Sequence, residues 1–260
     1  MTGFRLSRDG AGKSRIAALT LPFLHFGATA TEEEQAAAPD PRLAGAIGPV
    51  RTHRYADGTS ESLVDSPRRL LLVVSGAVRI DAPDMRAVAR PGDVVLVDAT
   101  GEQDLTARFV GETRLIEVEV TGEWQAGSVM PELLEARRGP RNAPTIAEMY
   151  VADDRANLRD LDRLFPATPG DSPGQDALAL SWMCLSPGSF GDWHTEPSPS
   201  LVFVLSGGFE LEVGGSGGKR VLHAGDVCLV RDDHGQGHRS RTHGETRFAA
   251  IRLPDDHQWA

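Results

Sequence analysis

Short runs of apolar or alternating residues, rich in β-branched side chains and closed by Gly, Pro, Asp or Ser, dominate the chain. They predict strands at Leu70–Val74, Val78–Asp81, Val94–Val97, Thr113–Val120, Leu178–Leu185, Leu201–Leu205, Phe209–Val213, Val227–Val230 and Thr246–Leu253. The pattern repeats. LLLVVSG at 70–76 returns as LVFVLSG at 201–207, GDVVLV at 92–97 as GDVCLV at 225–230, and GETR at 111–114 as GETR at 244–247. The last two matches keep the same spacing, whereas 16 residues separate Gly76 from Gly92 and 18 separate Gly207 from Gly225. The two extra residues fall at Gly214-Gly215-Ser216-Gly217-Gly218. Two copies of one β module are therefore expected, arranged as a sandwich or barrel.

The segment between the copies has another rhythm. Pro131 opens a run to Arg138 suited to a helix's first turn, Thr145 and Glu148 have capping-box spacing, and Leu158, Leu161 and Phe165 recur at helical intervals. This predicts a helical connector that ends in the breaker-rich stretch 166–174. The division expected is a first module over 1–130, a helical connector and linker over 131–175, and a second module over 176–260. At the N-terminus, Arg5, Arg8, Lys13 and Arg15 precede an apolar stretch, Ile16 to Phe26, followed by Ala28-Thr29-Ala30. That order resembles a signal peptide, but Thr20, Pro22 and His25 interrupt it, and the stretch also alternates as a first strand does. Gly10-Ala-Gly-Lys-Ser14 imitates a phosphate loop, yet Ser7 stands where its first glycine belongs and no apolar strand precedes it.

Composition narrows the class. With 260 residues, 40% hydrophobic, the chain can bury roughly 75% of its unfolded surface without staples. The 28 glycines and 17 prolines favour short strands and tight turns. A formal charge of −10 repels nucleic acid and anionic lipid, leaving small molecules or proteins as partners. No run of 18 apolar residues is present. Cys184 and Cys228, each inside an apolar strand, read as small hydrophobes in a reducing, cytoplasmic compartment.

Chemistry concentrates in the second copy. His194-Thr195-Glu196 places two ligand-type residues at strand alternation, and the loop after Gly225-Asp226 supplies His234 and His238. Two imidazoles and a carboxylate on one side of an ion suit non-haem Fe2+, and also accept Mn2+, Ni2+, Co2+ or Zn2+. The pattern resembles the cupin superfamily, and the chain resembles a bicupin. The family's first motif runs glycine, five residues, His-x-His, three or four residues, Glu, six residues, glycine; Gly188, His194, Glu196, Ser200 and Gly207 fall on those positions. Glu196 replaces the second histidine and Ser200 the glutamate. In the second motif Gln236 stands at the histidine position, and a turn longer by two residues restores His238. Trp193-His194-Thr195-Glu196-Pro197 and Gly235-Gln236-Gly237-His238 also resemble stretches of single-domain cupins. The resemblance implies two tandem double-stranded β-helix (jelly-roll) barrels.

The first copy acts as an internal control. At the copy offset of 131, Leu63, Asp65 and Arg69 take the places of His194, Glu196 and Ser200; at 133, Leu105 and Gly101 take those of His238 and His234. The expectation is a first barrel without metal ligands and a second that carries the site, with His194, Glu196 and His238 as catalytic residues and ligands. Trp182, Trp193, Ser200, Glu210 and His234 are candidate substrate contacts. A small-molecule enzyme is expected, acting as a dioxygenase, decarboxylase, isomerase or cyclase. Without metal, His194 or His238 would act as general base, or the protein would be a non-catalytic ligand-binding or regulatory bicupin. Pairing through edge strands makes a homodimer an option.

Overall fold

The computed structural model describes residues 3–8, 12–19, 21, 23–26, 47–63, 67–82, 85–98, 105–121, 128–129, 143–161, 163–188, 191–257 and 259. In chain order the strands are β1 (Gly3–Arg8), β2 (Ser14–Leu19), β3 (Leu24–Phe26), β4 (Ile47–Tyr55), β5 (Ser60–Ser62), β6 (Arg69–Ala82), β7 (Met85–Ala89), β8 (Val94–Val97), β9 (Thr106–Val120), β10 (Ser128–Val129), β11 (Ile146–Ala152), β12 (Arg155–Asp160), β13 (Gly170–Asp171), β14 (Ala179–Leu185), β15 (Ser200–Ser206), β16 (Gly208–Val213), β17 (Lys219–His223), β18 (Val227–Arg231), β19 (His238–Thr242) and β20 (Thr246–Arg252). No helix occurs among the described residues, and none is long and apolar enough to cross a membrane.

Two compact units divide the chain. The first comprises 1–21, 44–144 and 165–175, and the second 22–43, 145–164 and 176–260. In the first unit the strand order is β10-β2-β1-β8-β6-β9-β4-β13, with β5 on β9 and β7 on β6. In the second, a seven-stranded sheet, β12-β11-β18-β15-β20-β14-β3, accompanies a three-stranded one, β17-β16-β19. In both units the strand runs on through an irregular step at a glycine with positive φ, 68° at Gly76 within β6 and 74° at Gly207 between β15 and β16. A Cβ there would lie 2.4 Å from Thr113 Oγ1 or 2.3 Å from the Glu245 carbonyl, so a side chain fits neither position.

The duplicated ladders match residue by residue. β6 pairs with β8 as β15 pairs with β18, and β4 lies on β9 as β14 lies on β20. Each unit also contains a hairpin whose first strand runs parallel to the GDV strand: β1–β2 with β1 on β8, and β11–β12 with β11 on β18.

That correspondence corrects the helical reading of the connector. Residues 146–160 form a two-residue hairpin, turned by Asp153 and Asp154 at φ 53° and 57°, a type I′ arrangement that Asp tolerates. Thr145 and Glu148 form no capping box. The Thr145 amide donates to Asp226 Oδ1 at 2.8 Å, and the fully buried Glu148 accepts Arg159 at 2.5 Å and Arg231 at 3.1 Å across the strands. The predicted helix over Pro131–Arg138 lies outside the described residues. Ile16 stands within β2, as a strand reading of the N-terminal stretch expects.

Candidate metal centre

In the second unit, alternate residues of six strands point inward, as the two-residue repeat of a strand requires. Met183 and Leu185 of β14, Ser200 and Val202 of β15, Phe209 and Leu211 of β16, Cys228 and Val230 of β18, His238 and Ser240 of β19, and Phe248 and Ala250 of β20 line a cavity of about 130 Å³. Its polar corner is His194, Glu196 and His238. Their ligand atoms all lie within 4.8 Å of one another, the one such trio found among the described residues.

The backbone brings the two histidines together. His194 and His238 exchange both main-chain hydrogen bonds, at 3.0 and 2.8 Å, and their rings lie 4.3 Å apart. This close approach needs Gly237: its φ is 71°, and a Cβ would fall 1.8 Å from the His194 carbonyl oxygen. His194 and Glu196 do not lie in a continuous strand, as their alternation suggested. A single bridge at His194 interrupts the loop before β15, and His238 opens β19 instead of lying in the preceding loop.

Hydrogen bonding prepares both rings for a metal. His238 Nδ1 lies 2.7 Å from Oδ2 of the fully buried Asp232, and His194 Nδ1 lies 2.8 Å from the Asp192 carbonyl. A carbonyl only accepts, so His194 carries a proton on Nδ1, and the Asp232 carboxylate selects the same arrangement in His238; in the neutral tautomer this leaves Nε2 of each ring as the free lone pair. Burial pushes the Glu196 carboxyl above the usual carboxylate range, opposed by the charges of His238 and His194 when these are protonated. A cation beside it would favour the ionised form. Two neutral nitrogens and one carboxylate, oriented by a second layer of acceptors, fit a divalent ion.

The other candidates are distributed unevenly. Ser200 lines the cavity. Trp182, fully buried, alternates with Met183 and meets the Phe23 ring edge-on at 6.3 Å, on the far side of the wall. Trp193 lies under the Arg239 guanidinium at 4.7 Å and does not line the cavity. Glu210 alternates with the inward Phe209 and Leu211 and pairs with Lys219 at 3.1 Å on the outer face. His234 is exposed, 2.5 Å from Asp233, and lines an outer hollow with Tyr150, Arg159 and Arg231. Glu196 borders both spaces. The spacing argument missed Asp232, which follows β18 directly in the segment leading to β19, and also Ser240, two residues beyond His238.

Residues 181–252 match the family model described as Cupin domain. This segment is a cupin domain. The comparison with curated proteins gives no match. Among solved structures, the chain is similar to a Cupin 2 conserved barrel domain protein from Leptotrichia buccalis (15% identity, 78% of this chain and 82% of that one, TM-score 0.39). It is also similar to a putative glyoxylate induced protein from Pseudomonas aeruginosa (12%, 83% and 79%, 0.35) and to oxalate decarboxylase from Bacillus subtilis (13%, 99% and 76%, 0.29).

The first unit shows what replaces the cupin domain's site when it is absent. Leu63 and Leu105 are joined main chain to main chain at 2.9 Å, as His194 and His238 are, and both are buried. Where the cupin domain lines its cavity with Met183, Leu185, Ser200 and Ala250, the register places His53, Tyr55, Arg69 and Glu117. These are tied together: Arg69 reaches Glu117 at 2.6 Å and Glu61 at 2.9 Å, Tyr55 donates to Glu61 at 2.7 Å, and His53 lies 3.4 Å from Glu117 and 2.7 Å from Asp171. Tyr55 also stacks on Phe109 at 3.6 Å. The counterpart of His234, Gly101, lies outside the described residues.

Proposed function

We propose that the chain is a bicupin enzyme. In this reading the second barrel holds a divalent metal on His194, Glu196 and His238 and transforms a small organic molecule in the adjoining cavity. The observation that carries it is the convergence of those three side chains, with both Nδ1 atoms already committed to acceptors. Fe2+ suits this donor set best, and Mn2+, Ni2+, Co2+ or Zn2+ are accommodated by it. When bound, such an ion supplies Lewis acidity or redox chemistry.

The chain's own residues do the rest. Asp232 and the Asp192 carbonyl fix the rotation and tautomer of the two imidazoles, so no reorganisation is needed when the site is charged. Val202, Phe209, Leu211, Val230 and Phe248 exclude water from the reacting groups. Ser200 and Ser240 offer hydroxyls to a bound molecule.

Metal analysis of protein purified without added metal tests the proposal. About one equivalent is expected, lost in His194→Ala and in Glu196→Ala. Failure to retain Fe, Mn, Ni, Co or Zn after reconstitution would overturn the metal-dependent enzyme and leave a metal-free catalyst or a ligand-binding protein.

A further inference from the structure

The cavity's lining specifies the charge of what it takes in, a conclusion that rests on the functional reading above. No lysine or arginine lines it. Arg252, two residues beyond the inward Ala250 and close enough to act on the Glu196 carboxyl, is exposed and stands outside the lining, while Arg231 is engaged on Glu148 at 3.1 Å and Arg239 on Glu212 at 2.8 Å. Two carboxylates already face the imidazole pair, Glu196 and the buried Asp232. A divalent ion balances those two charges and leaves no positive charge within the lining to offset a charged ligand. A negative group brought into this apolar space would be buried without a partner, which is strongly unfavourable.

Size and polarity complete the description. A dry cavity of about 150 Å³ holds benzene, so 130 Å³ suits a compact body of that order. The Ser200 and Ser240 hydroxyls are joined to no other side chain or backbone group among the described residues, and both line the space.

We infer that the second barrel binds a compact, hydrocarbon-bodied molecule that is uncharged in solution and carries one or two oxygen donors, such as a vicinal diol, hydroxyketone or catechol. Dicarboxylates and phosphorylated molecules are excluded. His194, Glu196 and His238 would hold the metal at one end of the ligand, and the serine hydroxyls hydrogen-bond the rest.

Catechol and oxalate separate the alternatives, because oxalate is the smaller of the two and its exclusion cannot come from size. Calorimetric titration of each into metal-loaded and metal-free protein, with metal content measured on the same samples, is expected to show catechol binding at least tenfold more tightly than oxalate in both forms. The Ser200→Ala/Ser240→Ala double variant is expected to weaken catechol binding about three- to tenfold with the folded spectrum unchanged. Oxalate binding as tightly as catechol in either form would overturn the inference. Metal retention in the same samples reads the functional proposal separately: a protein that holds no metal yet prefers catechol refutes the metal-dependent enzyme and upholds the cavity's selectivity.

Discussion

Asp232 decides which nitrogen His238 presents to the cavity. It is fully buried and makes a 2.7 Å contact with Nδ1, and its other oxygen faces the Glu196 amide at 3.4 Å. One carboxylate therefore orients two of the three members of the trio. Asp232→Asn preserves size but offers an amide that can donate to Nδ1, allowing the proton to move to Nε2, where it blocks coordination. Metal affinity is expected to fall about 10- to 100-fold, measured by competition with a chromophoric chelator, while the circular dichroism spectrum stays that of the parent. An unchanged affinity would mean that Asp232 only supports the turn. The contrast with the first unit shows what the site costs in stability: at the equivalent places Leu63 and Leu105 are fully apolar and 1% exposed, and burying each contributes about 1.5–3 kcal/mol.

At the scale of elements, the β11–β12 hairpin is where sequence and structure part. Asp154→Gly is expected to raise stability by about 0.5–1 kcal/mol in urea denaturation, since glycine adopts its positive φ without the steric cost an L side chain bears. In a helix the same change would cost about 0.3 kcal/mol, because glycine is a poorer helix former than aspartate, so the sign distinguishes the two structures. The sequence made the repeat, the GDV strands and the glycine turns legible because those positions are constrained by backbone geometry, and Gly76 and Gly207 admit no side chain. Leu158, Leu161 and Phe165 imitate a helical stripe. Leu158 lies in a strand, whereas Leu161 and Phe165 are buried beyond its end. The Asp153-Asp154 pair was the overlooked turn signal. Of the site, His194, Glu196, His238 and Ser200 were legible from motif spacing and from comparison of the two copies. Glu210 and Trp182, expected as substrate contacts, lie outside the cavity lining, because which face of a strand turns inward is set by its neighbours in the sheet. Asp232 was missed because its role depends on a side-chain contact that no spacing rule encodes.

Over the whole molecule, one ancestral architecture has been put to two uses. The second unit keeps a cavity, and the first fills the matching positions with a charged network around His53. Burial alone would lower the His53 pKa, but hydrogen bonds and charges from Glu117 and Asp171 override it and hold the imidazole above its ordinary 6.5. Glu117, despite its own burial, is kept below 4.5 by His53 and Arg69. The stability supplied by His53 is therefore complete below pH 6.5 and lost as pH rises through its folded value. That supplied by Glu117 is complete above pH 4.5 and lost as pH falls through its folded value. Asp171 is 65% exposed, so solvent screens its share. Urea midpoints measured from pH 5 to 9 are expected to decline on the alkaline side in the parent and to flatten there in His53→Leu; a parallel decline in both proteins would assign the effect to other groups. Cys228 offers a different kind of access to the second unit. Its thiol belongs to the wall of the binding space, and Cys184, three strands away in β14, is the sole other sulfhydryl in the chain. The S–H stretch absorbs in a quiet window of the infrared, so this side chain is a native vibrational probe whose frequency would register an incoming guest without any label.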